Sequence, residues 1–154
     1  MIQEEARRQK VSVNTLLNQL VLTYANYDLP MKRFRMIKLP ASSFRHILQA
    51  ATNEAIIEAG NSTGKDVPKT YIISKWGELT VENALSYLKT TAQHTNLFEY
   101  SEVIRGGKTN VTLTHDFSAK GSLFLQRYVQ AIFEQLEKRP RFSPDENAVA
   151  FELS

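Results

Sequence analysis

Leu97-Phe98-Glu99-Tyr100-Ser101-Glu102-Val103-Ile104-Arg105-Gly106-Gly107-Lys108-Thr109-Asn110-Val111-Thr112-Leu113-Thr114-His115 is the run that decides the fold. Phe98, Tyr100, Glu102 and Ile104 alternate with Leu97, Glu99, Ser101 and Val103. Val111, Leu113 and His115 alternate with Asn110, Thr112 and Thr114. A period of two is the signature of strands. Gly106-Gly107 supplies a two-residue turn that tolerates positive φ. The expected register pairs Arg105 with Lys108, Tyr100 with Leu113 and Phe98 with His115. One face of the hairpin is then apolar and must pack on something.

The segment that follows supplies the cover. Gly121 to Glu137 carries Phe124, Leu125, Tyr128, Val129, Ile132, Phe133 and Leu136 at helical spacing,. Pro140 and Pro144 break it, and Val149, Phe151 and Leu153 alternate as a final strand. The expected end of the chain is therefore β-β-α-β. Upstream, Thr80 caps a helix with Val81, Ala84, Leu85 and Leu88 that ends before Asn96,. Phe44, Ile47, Leu48, Ala51, Ala55 and Ile56 predict a helix stopped by Gly60. Residues 61–69 hold Gly64 and Pro68 and read as a loop,. Tyr71-Ile72-Ile73 fits a short strand or the start of a helix. Lys32 to Leu39 reads as a strand or extended linker closed by Pro40. The fold class is α+β: a helix pair at the N-terminus, then helices packed on a small antiparallel sheet.

Composition narrows the setting. The chain has 154 residues, no cysteine and a net charge of +3. Disulfides and thiolate metal sites are excluded, and a reducing cytoplasm is the expected home. No apolar run is long enough to cross a membrane, and the first residues, acidic and basic by turns, lack the apolar core expected of a signal peptide. The mild positive charge is compatible with nucleic acid.

Catalytic and metal signals are absent. His46, His94 and His115 lie apart, with no i,i+4 pair and no carboxylate cluster at ligand spacing,. No metal and no cofactor are expected, and without a nucleophile–base pair the chain reads as a non-enzyme. His115 reads as a packed, hydrogen-bonded residue. The junction from Asp116 through Lys120 to Ser122 suggests an anion site or, more simply, a helix cap made by Asp116 or Ser118. Gly60 to Lys65 mimics a phosphate loop, but Asp66 follows Lys65 and Pro68 comes soon after, which is the wrong setting,. Trp76 beside Gly77 reads as a core anchor. Lys32, Arg33, Arg35 and Lys38 suit phosphates, with Phe34 free to stack on a base; the plainer reading is a charge-protected edge strand,.

The N-terminus carries the functional hint. Ile2 to Gln9 predicts a polar helix, Ser12 an N-cap, and Val13, Leu16, Leu17, Leu20, Val21 and Tyr24 an apolar stripe on a second helix ended by Pro30,. A pair this small cannot bury such a stripe alone. The expected boundaries are 1–29 for the helix pair and 30–154 for an α+β domain.

Lys10-Val11-Ser12-Val13-Asn14-Thr15-Leu16-Leu17-Asn18-Gln19-Leu20 resembles the second half of a ribbon-helix-helix DNA-binding unit. In that family an N-terminal strand pairs with its twin and enters the major groove. The resemblance implies phosphate contact around Lys10, Ser12, Val13 and Asn14, helped by Lys32, Arg33 and Arg35. It implies a homodimer seam of Leu16, Leu17, Leu20, Val21 and Tyr24. Lys10 or Val11 stands where the family has glycine in the break. The base-reading strand is missing from these residues: a strand upstream of Met1 is expected if DNA is read, and none if the helices only dimerise. The C-terminal half resembles, by element order, small-molecule-sensing domains of the 4-vinyl-reductase type, without their cysteine-rich closing motif. As a whole the chain resembles uncharacterised archaeal proteins that join such helices to such a domain. The implied function is a DNA-associated transcriptional regulator, with double-stranded DNA and a small-molecule ligand as partners and a C-terminal domain for sensing or assembly. The competing reading is a dimeric interaction protein that does not bind DNA.

Overall fold

The computed structural model describes residues 1–153. Its backbone divides into two compact units, Met1–Met36 and Ile37–Ser154.

In the first unit α1 spans Ile2–Arg8 and α2 spans Val13–Thr23. Between them the chain closes a Schellman motif: Lys10 N–H donates to Arg7 O at 3.1 Å and Val11 N–H to Ala6 O at 3.0 Å,. Lys10 takes the left-handed conformation (φ 56°) in which glycine is usual,. Pro30 does not end the helix as expected. The backbone widens into a π-helical turn at Tyr24–Asp28, and Pro30 enters the next short helical segment, Leu29–Met31, in its first turn, where no donor is required,. Lys32–Phe34 forms a 3₁₀ turn and Arg35 is left-handed (φ 52°), so the strand or extended linker expected at 32–39 does not form over its first half; residues 36–40 have no regular secondary structure.

The second unit has four helices: α3 (Ala41–Ala50), α4 (Asn53–Trp76), α5 (Val81–His94) and α6 (Ser118–Glu134). Thr80 caps α5 as expected, its hydroxyl accepting from Asn83 N–H at 3.1 Å. The largest correction is α4. Gly60 does not stop a helix and residues 61–69 are not a loop; they form the middle of the longest helix, and Tyr71-Ile72-Ile73 belongs to its last turns. The break comes earlier, at Ala51-Thr52, where the Thr52 hydroxyl caps the new helix by accepting from Ala55 N–H at 3.3 Å.

Glycine serves here as space. Ile56, Gly60, Gly64, Pro68 and Ile72 recur every fourth residue and are all buried. A Cβ on Gly64 would stand 2.3 Å from Tyr128 O and one on Gly60 2.8 Å from Phe124 O, so the α4 and α6 backbones touch. Small residues permit that approach. Pro68 removes the donor that Gly64 O would have used. The Gln135 side-chain amide, at the end of α6, takes its place, 3.5 Å from Gly64 O and 3.2 Å from Lys65 O.

The sheet is antiparallel, in the order β1-β2-β4-β3, with β1 Glu99–Arg105, β2 Lys108–Thr114, β3 Arg141–Asp145 and β4 Ala148–Leu153. The predicted hairpin register holds: Arg105 meets Lys108 and Tyr100 meets Leu113, and the ladder ends at Glu99–Thr114, one pair short of Phe98 and His115. Gly106 and Gly107 take φ of 57° and 76°, as a primed turn requires. The expected β-β-α-β gains a strand, β3, that prolines had hidden. Pro144 fits because β3 is an edge, where a missing donor costs nothing,. Val111, Leu113, Val149, Phe151 and Leu153 form the buried face, and Leu125, Val129, Ile132 and Phe133 of α6 are buried with them. The Phe133 and Phe151 rings lie 5.8 Å apart. On α5, Tyr87 reaches into the core and its hydroxyl meets that of Tyr128 at 2.7 Å. Thus an α+β unit with one helix-covered sheet face stands as expected. Among the described residues no helix is long and apolar enough to cross a membrane.

Candidate functional site

The candidate surface predicted at the N-terminus is built by α1, the turn at Lys10 and α2. The Ser12 hydroxyl accepts from Thr15 N–H at 3.0 Å and shares a 2.8 Å bond with the Thr15 hydroxyl. That fixes the first turn of α2, where Val13 and Asn14 carry amides with no intrahelical acceptor. No acidic residue stands in this turn.

The stripe behind it is mostly open. Leu16 is buried at 5% exposure, but Leu17, Leu20, Val21 and Tyr24 are 41%, 52%, 64% and 45% exposed. Their spacing of three, four and seven places them on one side of the helix. Leu22 is 59% exposed as well. Four large apolar side chains in a row facing water is a costly arrangement for one copy of the chain.

The basic residues are not strung along a strand. Lys32 folds back on the stripe: its Nζ donates to the Tyr24 hydroxyl at 2.7 Å and lies 4.9 Å from the centre of that ring. Arg33 Nε donates to Pro30 O at 3.1 Å, with its guanidinium 5.6 Å from the Phe34 ring. Arg35 follows in the left-handed conformation. Lys10, Ser12, Val13 and Asn14 thus form one group at the turn, and Lys32, Arg33 and Arg35 another beyond Asp28. Sequence reasoning missed the tie between Lys32 and Tyr24, since a spacing of eight residues has no fixed meaning without the π-helical turn between them.

In the second unit the junction before α6 is a structural knot. His115 is buried, and its Nδ1 accepts from Phe117 N–H at 3.1 Å. The proton therefore sits on Nε2, which donates to Ser122 Oγ at 2.9 Å. Ser122 passes its own proton to Asp145 O at 2.5 Å. An imidazole protonated toward the serine cannot act as its base, so this pair is not a nucleophile and base. Gly121 makes the knot possible, for a Cβ there would stand 3.0 Å from the His115 ring. Asp116 does not cap α6 as expected; its carboxylate pairs with Arg45 of α3, whose Nε also donates to Asp116 O at 2.7 Å. Nor does Ser118 cap: its own N–H donates to Asn147 Oδ1 at 3.0 Å. Lys120 is committed too, reaching Gln49 O at 2.8 Å and Ala51 O at 2.7 Å at the end of α3. Both nearby cations, Arg45 and Lys120, are thus engaged elsewhere, and the anion site suggested for this helix end is not formed.

Burial holds the His115 pKa below its ordinary 6.5, against an opposing pull from Asp116. The unfolded chain therefore takes a proton near pH 6.5 while the folded chain does not. Stability falls as pH drops through that value and levels off below the folded pKa. Urea midpoints should fall between about pH 7 and about pH 5.5, and His115→Gln should flatten that part of the profile; a variant with the parental slope would assign the dependence to other groups.

Among the described residues no group of His, Cys, Asp and Glu is arranged to hold a metal. Trp76 is half-buried, edge-on to Tyr71 at 5.9 Å. A family model for a C-terminal domain, AF_0136_C, matches residues 30–153. No curated protein and no solved structure matches the chain.

Proposed function

We propose, for a chain that belongs to the AF_0136_C domain family over residues 30–153, a homodimeric DNA-associated regulator of ribbon-helix-helix descent. The exposed stripe of Leu17, Leu20, Val21 and Tyr24 carries this reading. A second copy of α2 laid against it buries what one copy leaves in water. The dimer then sets two α2 N-termini, each with Lys10, Ser12, Val13 and Asn14, where a duplex backbone can be held by amides and cations. Residues 30–154 would serve sensing or assembly.

The second reading keeps the dimer and drops the DNA. What favours it is that Lys32 and Arg33 are spent on Tyr24 and Pro30 O.

Fluorescence anisotropy against random-sequence duplex at low and moderate salt separates the two. The regulator reading expects micromolar affinity that weakens steeply with salt. Replacing Lys10, Lys32, Arg33 and Arg35 with alanine should lower the logarithmic salt slope by about 1 for each of these cations that neutralises a phosphate. No binding at low salt would remove DNA from the proposal and leave the interaction protein.

A further inference from the structure

The sheet has two edges, and they are not alike. On β3, Pro144 has no N–H to offer and Arg141 and Asp145 are exposed, which is how an edge is kept from pairing,. β1 carries exposed charges too, at Glu99, Glu102 and Arg105, but its backbone is unbroken. All seven residues run in step with β2, without a bulge or a proline. Val103 is 45% exposed and Ile104 68%.

The geometry of the turn tells which groups are free. With a two-residue loop, Arg105 and Lys108 exchange backbone bonds, as do alternate pairs back to Glu99,. The N–H and C=O groups of Tyr100, Glu102 and Ile104 therefore point away from β2. We propose that β1 pairs antiparallel with β1 of a second copy, joining two four-stranded sheets edge to edge.

The sequence of β1 is complementary to itself. Centred on Glu102, the pairing sets Tyr100 against Ile104 and Glu102 against its twin at positions that exchange backbone bonds, about six in all. It sets Ser101 against Val103, and Glu99 against Arg105, at the intervening positions where side chains stand closest. Opposite charges thus meet at both ends. Shifting the centre to Ser101 sets Glu99 against Val103, and shifting it to Val103 sets Arg105 against Ser101; either way both charge pairs are lost. The one unfavourable meeting is Glu102 with its twin, where each carboxylate takes a bond from the Tyr100 hydroxyl of its own chain at 2.9 Å. This surface is separate from the α2 stripe and does not rest on DNA binding.

Sedimentation of the full chain over a range of concentrations tests the pairing through charge swaps at exposed positions. Arg105→Glu makes both end pairs repulsive and should raise the dissociation constant at least about tenfold. Glu99→Arg combined with Arg105→Glu should restore it, and Glu102→Gln should lower it. Circular dichroism reports folding for each. The same series on the full chain carrying Leu17→Glu and Leu20→Glu reads the sheet edge with the α2 stripe disabled. A parental constant for Arg105→Glu, a folded double swap that fails to restore association, or a background that is monomeric at every concentration would overturn the proposal.

Discussion

Gly64→Ala is expected to destabilise the second unit by about 3 kcal/mol, at the upper end of overpacking costs. The new methyl would stand 2.3 Å from Tyr128 O and 2.9 Å from the Ala131 side chain. Neither neighbour is the free end of a flexible side chain. The methyl is accommodated only if α4 and α6 separate, and then Leu125, Val129 and Ile132, all at 0% exposure, lose part of their packing. The Gln135 bonds to Gly64 O and Lys65 O loosen with them. Ser62→Ala, on the exposed side of the same helix, is the control and should fall within about 0.5 kcal/mol of the parent. Equal urea midpoints for Gly64→Ala and Ser62→Ala would show that the two helices do not approach so closely in solution.

The second large effect belongs to α2. Leu17→Glu together with Leu20→Glu is expected to lower the mass measured by light scattering to that of the species paired through β1 alone. Each leucine buried at an interface contributes about 2 kcal/mol, and a carboxylate left there without a partner costs more. Both residues are exposed in a single chain, so the substitutions leave the fold of that chain intact and act on association alone. Gln19→Glu adds a charge on the opposite side of α2 and should not change the mass. A parental chain already monomeric, or a double variant of parental mass, would remove the stripe as a seam and the α2 dimer with it.

How much of this was legible depends on whether the signal was local. The β1–β2 hairpin was, since a glycine pair and a period of two fix turn and register within a few residues. The Ser12 and Thr80 caps were, because a cap is a contact across three positions. Gly60, Gly64 and Pro68 were misread because their local meaning, a break, yields to a distant one: room for α6. The recurrence of Ile56, Gly60, Gly64, Pro68 and Ile72 every fourth residue was the clue. Residues 141–145 went unread as a strand because Pro140 and Pro144 were taken only to break a helix, and an edge position makes Pro144 tolerable. Asp116 passed for a cap because Arg45 is 71 positions away. Of the candidate surface, the helix–turn–helix was visible, while the retreat of Lys32 onto Tyr24 depended on a π-helical turn that no residue pattern announces.

The fastening of α3 is a clasp more than a burial. This helix buries only Leu48 and is otherwise held by the edge-on contacts of Phe44 with Phe117 and Phe124, the Arg45–Asp116 pair and the two Lys120 bonds. Its seat therefore depends on two cationic side chains, Arg45 and Lys120, as much as on the hydrophobic core.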